Sequence, residues 1–174
     1  MKRIIIIATL LLASISAFAQ SGKSIYQKYS DAENVSAVYI SSAMFRMIGK
    51  IPDLNVEGSE VNLAPIIQSL SGLYIISSEN PKINTQIKAD AEKFINGGEY
   101  ELLMEAKDNG ETVRMYTVGT EKVVNSFVML SLDGNEIDFI CVDGKMNRDD
   151  LDKLLADAMK YYQNYKYQNY LKIH

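Results

Sequence analysis

From Tyr100 to Asp143, apolar and polar residues alternate in four runs separated by Asn109-Gly110, Thr120-Glu121 and Asp133-Gly134. Asn-Gly favours a type I′ hairpin, because both central residues must take φ > 0. Alternation with period two marks strands that turn one face inward. The pattern predicts an antiparallel meander of strands near 100–107, 112–119, 123–132 and 136–143. With two-residue turns, Ala106 faces Val113, Met104 faces Met115 and Glu105 faces Arg114. One face then gathers Met104, Val113, Met115, Val128, Leu130, Phe139 and Cys141, and is expected beneath helices. The other gathers Leu103, Tyr116, Val118, Phe127, Met129, Ile140 and Val142 among polar residues.

Upstream, Ile25, Tyr26 and Tyr29 have helical spacing, and Val35–Ser41 reads as a strand. Ala43, Met44, Met47 and Ile48 form one face of a short helix. Residues 49–60 read as irregular, with Gly49, Pro52 and Gly58. A helix near 63–71 accepts Pro65 in its first turn, turns Ile66, Ile67 and Leu70 inward and ends at Gly72. Residues 73–78 form a strand. Asn80-Pro81 is a helix start, a capping residue followed by proline at the first helical position. Ile83, Ile87, Ala91 and Phe94 are its stripe, and Gly97-Gly98 closes it. Asn147 caps a last helix, with Asp150 as a weak capping box. The order predicts an α+β domain: a mixed sheet of about six strands, its early strand-helix-strand units pairing parallel. It ends in a four-stranded antiparallel meander, and helices pack mainly on one face.

The chain begins with an address. Lys2-Arg3, the apolar run from Ile4 to Ala13 and the small-x-small Ala17-Phe18-Ala19 together read as a signal peptide, residues 1–19. Export, cleavage after Ala19 and a single domain over 20–174 are expected, with residues 161–174 a Tyr-rich helix extension or tail. The apolar run is too short for a permanent transmembrane helix. No cysteine follows the cleavage site to carry a lipid. Without Lys2 and Arg3, 16 basic residues stand against 22 acidic ones, a net charge near −6. This argues against nucleic acid or anionic lipid as a general partner. The lone Cys141 is expected as a buried, inert thiol.

Residue types that carry chemistry are sparse. The single histidine, His174, is the last residue, which argues against Ser-His, Cys-His and His-metal sites. No Gly-rich phosphate loop, HExxH or G-x-S-x-G pattern occurs. In Asp143–Asp149 Lys145 occupies a calcium-ligand place and Leu154 stands where a bidentate glutamate belongs, so a turn and helix cap explain it better. Glu101 and Glu105 share a strand face, where Glu105 already has Arg114. Ser41-Ser42 and Ser77-Ser78 end strands, with no S-x-x-K to support a nucleophile. No catalytic residue, cofactor or metal is assigned.

Two features stand apart. Leu103, Tyr116, Phe127, Met129 and Ile140 form a candidate partner-binding band, or else lie under a second covering layer. Tyr162, Tyr165, Tyr167 and Tyr170 form a candidate tail contact. As a helix, Leu151, Leu154, Leu155, Ala158, Tyr162 and Tyr165 continue one stripe, so packing explains them too; the alternative is a grip on a membrane interface, glycan or protein groove.

The exported start, "YSDAENVSAVYISSAMFRM" from Tyr29 to Met47, "LYIISSEN" and "DFICVDGKMNRDDLDKLL" make the chain similar to a bacterial family of secreted proteins. That family is domain-of-unknown-function family 4252 (DUF4252). The resemblance spans almost the whole domain, leaves out the Tyr-rich tail and brings no functional residue. It implies an exported α+β protein of a Gram-negative bacterium, in the periplasm or at the outer membrane. Its relatives are often encoded near alternative sigma factors and their membrane regulators, which implies envelope signalling.

The expected function is a non-enzymatic interaction module that binds an unknown protein partner or itself, peripheral membrane association being a further option. The alternatives are an envelope hydrolase or carbohydrate-acting enzyme using carboxylates, and a carrier of a small apolar ligand between helices and sheet. An enzyme requires polar groups converging in a pocket, a carrier an internal cavity, and a module an exposed apolar patch with a polar rim.

Overall fold

The computed structural model describes residues 21–50, 62–153 and 156. The expected leader, most of the irregular 49–60 segment and the Tyr-rich tail lie outside these residues. In chain order the elements are α1 (Gly22–Tyr29), β1 (Val35–Ser41), α2 (Ser42–Ile48), α3 (Leu63–Ser69), β2 (Leu70–Ser78) and α4 (Pro81–Gly97). They continue as β3 (Glu101–Asp108), β4 (Glu111–Gly119), β5 (Val123–Asp133) and β6 (Glu136–Asn147), followed by helical backbone over 148–153.

The predicted starts and stops are built from the expected chemistry. Asn80 Oδ1 accepts from Lys82 N at 3.1 Å, Pro81 opens α4, and Asn147 Oδ1 accepts from Asp150 N at 3.3 Å. Asn109 and Gly110 take φ of 47° and 96°, as a type I′ turn requires. One boundary differs: α3 ends at Ser69, and Gly72 lies within β2, opposite Ser41 and Asp143. A Cβ on Gly72 would come within 2.5 Å of the Tyr74 hydroxyl, so the glycine serves close packing and not a helix stop.

The six strands form one sheet in the order β1-β2-β6-β5-β4-β3, the meander filling one side as predicted. The expected mixed pairing is corrected, since every described pair is antiparallel. The reason is local. α2 begins directly after β1 and α3 ends directly before β2, joined through Gln68 Nε2 donating to Gly49 O at 2.6 Å. This helical pair returns the chain at the end it left, with Ser41 opposite Gly72, and does not cross the sheet face as a parallel connection must.

α1 and α4 cover one face. Ile25 and Tyr29 from α1 and Ile87, Ala91, Phe94 and Ile95 from α4 pack on Tyr74, Ile76, Val128, Leu130, Ile137, Phe139 and Cys141. Phe94 meets Phe139 edge-on at 6.1 Å and Tyr100 at 5.1 Å. Asn84 Nδ2 donates to Asn135 O and so holds the β5–β6 turn against α4. Asp90 joins the two helices, accepting from Lys28 Nζ and Tyr29 Oη, both at 2.5 Å. Burial raises the Asp90 pKa, but the bonds from Lys28 and Tyr29 outweigh it and hold the carboxyl below its ordinary value. A depressed folded value means stability that is present above the unfolded pKa, about 3.9, and lost as pH falls through the folded one. Asp90→Asn is therefore expected to lower stability at pH 7 and to flatten its decline below about pH 4, measured by urea unfolding at pH 7 and 3. Parallel wild-type and variant curves would refute this role.

A smaller cluster lies at the end of the sheet where β6 finishes, and Val124 at its centre alternates with the buried Ser126 and Val128, so it continues the helix-covered face. Ile66, Val124 and Met146 pack there with Leu63, Leu70, Val142 and Leu151. A bulge between the Ser126–Asp143 and Val124–Met146 pairs re-aims β6 here, and α3 and the helical turn at Leu151 close this end of the sheet.

Candidate functional site: the open sheet face

The face opposite α1 and α4 is organised by cross-strand register. Val38, Ile75, Ile140, Met129, Met115 and Met104 are successive Cα partners from β1 to β3, so a single apolar row crosses all six strands. A second row runs Ile40, Leu73, Val142, Phe127, Thr117 and Glu101. On the other side of the first row lies a third: Ser36, Ser77, Asp138, Ser131, Val113 and Ala106, where Ser77 Oγ donates to Asp138 Oδ1. Beyond it, Asp133 opposes Glu136 and Asp108 opposes Glu111. Within the described residues no helix lies on the first row. Val38 and Met104 are exposed, and Ile75, Met115, Met129 and Ile140 are half-buried.

The predicted band is redistributed. Phe127, Met129 and Ile140 stand together on the open face, as expected, with Val142 beside them. Tyr116 is the Cα partner of Val128 and packs against the helix-covered core. Leu103 falls at an irregularity between Leu102 and Met104 and has no Cα partner, though its side chain is exposed. Met104, Val113 and Met115, expected beneath helices, lie on the open face instead. The cause is the β4–β5 turn together with the bulge beside it, between Val118 and Gly119. Gly119 pairs with Val124, and Thr120 N donates to Val123 O at 2.7 Å. The Thr120 hydroxyl accepts from Lys122 N and Val123 N, at 3.4 and 3.2 Å. This longer, side-chain-capped turn replaces the expected Thr120-Glu121 loop, and the bulge between Val118 and Gly119 adds one residue more, so the register is shifted by an odd number. An odd shift turns the β3–β4 hairpin over relative to β5 and β6. Threonine followed by two polar residues was the available sequence signal.

The internal pairs of that hairpin are as expected, because its own turn was assigned correctly. Arg114 Nε donates to Glu105 Oε2 at 2.6 Å, and Lys107 Nζ lies 2.7 Å from Glu105 Oε1. Glu105 is thereby held below its ordinary pKa by Lys107 and Arg114. Glu101 lies on the other face, opposite Thr117, so the two glutamates do not converge.

Cys141 is wholly buried, as expected, and α1 stands so close that a Cβ on Gly22 would come within 2.3 Å of its Sγ. Sγ contacts Ser126 Oγ at 3.5 Å and Asp143 Oδ1 at 3.4 Å, and Tyr100 Oη donates to Ser126 Oγ at 3.0 Å. Burial, and then the Asp143 charge, push the thiol far above its ordinary pKa. Burial likewise raises Tyr74, to about 12. This is a polar seam under helices rather than an activated nucleophile.

Among the described residues no three His, Cys, Asp or Glu side chains converge to hold a metal, and no helix is long and apolar enough to cross a membrane. A depression of 590 Å³, open to solvent, lies beside the open face and is lined by Ser69, Ser71, Asn125, Gly144 and Lys145. Tyr162, Tyr165, Tyr167 and Tyr170 lie outside the described residues.

The profile of a family described as "Domain of unknown function (DUF4252)" matches residues 29–154, which takes in every strand of the sheet. No curated protein and no solved structure matches the chain.

Proposed function

The chain belongs to this family of unknown function, and we propose that it is an exported, non-enzymatic envelope protein that acts as an interaction module. Its open sheet face is the docking surface. The observation that supports this reading is the apolar row from Val38 to Met104, six strands wide, with a rim of serines and carboxylates. Contiguous apolar surface of this extent, bordered by polar residues, is the ordinary make-up of a protein-binding patch. A role in envelope signalling follows as the setting of such a module in the periplasm or at the outer membrane.

A photo-crosslinking side chain placed at Met115 in cells tests the reading against the same probe at Lys88, which is exposed on α4. The expected result is a discrete adduct with another protein from position 115 alone, reduced at least about tenfold by Phe127→Glu, which buries a charge in the patch. Equal adducts from both positions, or an adduct indifferent to Phe127→Glu in a chain of unchanged circular dichroism, would rule the face out. The mass of the recovered protein tests export, since cleavage after Ala19 leaves residues 20–174.

A further inference from the structure

The two edges of the sheet are built differently. β3, at one edge, is exposed along all eight residues, carries Glu101, Glu105, Lys107 and Asp108, and breaks register between Leu102 and Met104. Charges and irregularities of this kind keep an edge strand from pairing with another chain. β1, at the other edge, has neither. Val35–Ser41 holds no charged residue, proline or glycine, and its seven residues pair with β2 without a break. Val38 and Tyr39 are 42% and 46% exposed. Among the described residues, no backbone hydrogen bond reaches the outer side of this strand.

The residue pattern of β1 is self-complementary. Opposed residues of an antiparallel pair point to one face, and only a register centred on Val38 matches faces and pairs all seven residues with a second copy. Val38 then meets Val38, Ala37 meets Tyr39 and Ser36 meets Ile40, so each larger side chain lies beside a small one. Tyr39 stacks on Tyr74 at 5.2 Å and lies 5.8 Å from Tyr26, which holds its ring on the helix side of the edge. The flanks match as well. Asp31 and Glu33 precede the strand and Arg46 and Lys50 follow it, all four exposed and, among the described residues, outside any ion pair. Antiparallel pairing sets the acidic end of each copy beside the basic end of the other. Two copies of a chain with net charge −4 repel over most of their surface, and a charge-free strand is where they can approach.

We propose that β1 is the edge through which two copies of the chain join, antiparallel about a two-fold axis at Val38, so that their six-stranded sheets become one. The joint adds about six to eight backbone hydrogen bonds, two for every second residue pair. It lies at the edge of the sheet and leaves the open face free. Because Val38 also heads the apolar row, the row of one copy runs directly into that of the other, and the docking surface doubles in length.

Sedimentation of the protein purified from cells, over a series of concentrations, tests the joint. A dimer is expected. Val38→Lys sets two like charges against each other at the axis and should weaken the dimer at least about tenfold, as should Val38→Glu. An equimolar mixture of the two variants should bring it back to within about threefold of the wild type, because opposite charges then meet. A misfolded chain could not recover in this way. Phe127→Glu, on the open face, should leave the dimer unchanged. A monomer throughout the series, a dimer indifferent to Val38→Lys, variants that stay apart when mixed, or a dimer lost to Phe127→Glu would each overturn the proposal. The docking-face reading stands or falls separately, on the Met115 probe.

Discussion

Phe139→Ala is expected to lower the unfolding free energy by about 3–5 kcal/mol, the upper range for removing a buried aromatic ring. Phe139 has no exposed surface. Its strand runs between β2 and β5, with Ile76 and Leu130 as Cα partners, and Phe94 of α4 meets its ring edge-on. A cavity here can close only if α4 sinks, and α4 is held by the Asp90 bonds at one side and the Asn84 bond at another. The vacancy therefore persists and adds its cost to the lost transfer energy. Urea unfolding should show a lower midpoint at an unchanged slope. Phe127→Ala, half-buried on the open face, should cost less than half as much. A loss at Phe139 below about 1 kcal/mol would mean that the helix layer does not press on the sheet as described.

Gly119→Ala is expected to cost about 1–3 kcal/mol, the range in which an added carbon forces displacement of fixed neighbours. A Cβ there would lie 2.1 Å from Val123 O and 2.9 Å from Val124 Cα. Both obstacles are backbone, so no side chain can swing away. Relief requires opening the Thr120 N to Val123 O bond, which is the bond that closes the β4–β5 turn. Ala at Gly110, where a Cβ meets nothing but φ is 96°, would cost through backbone strain alone. Hydrogen exchange should distinguish the two: Gly119→Ala exposes amides of β4 and β5 together, whereas Gly110→Ala acts at the β3–β4 tip. Full retention of stability in Gly119→Ala would remove the turn as the device that sets register.

That turn also marks how far the sequence could be read. Element identity was legible because capping residues act within a few residues: Asn80 with Pro81, Asn147 with Asp150, Asn109 with Gly110. The α4 stripe of Ile87, Ala91 and Phe94 was equally plain, as was Cys141 beneath it. The assignment of faces was not equally secure. Met115 and Tyr116 are both apolar enough for either side, so a hairpin turned over still presents a plausible apolar face, and alternation could not arbitrate. The bulge between Val118 and Gly119, where Gly119 lies closest to Val123, decides it, and it operates through backbone geometry. Strand direction was lost in the same way. Two short helices between strands can cross a sheet or stay at its end, and the choice lies in contacts such as Gln68 with Gly49. For the candidate site this meant that Phe127, Met129 and Ile140 were found, Tyr116 was misplaced, and Met104 and Met115 were missed.

The strand order carries a consequence for how the protein is made. β6 is the last strand in the chain and the third in the sheet. During synthesis, β1 and β2 emerge first, and β2 then has a partner along one edge only. The hairpins β3–β4 and β4–β5 close through local turns, whereas the β2–β6 seam joins segments separated by α4 and three strands, at a greater entropic cost. Until that seam forms, Tyr74 and Ile76 have no neighbouring strand on their open edge, and α4 has half a sheet to lie on. Assembly is thus gated by its final strand: the nascent protein stays as two unjoined halves, each with apolar surface in water, until its C-terminal part arrives.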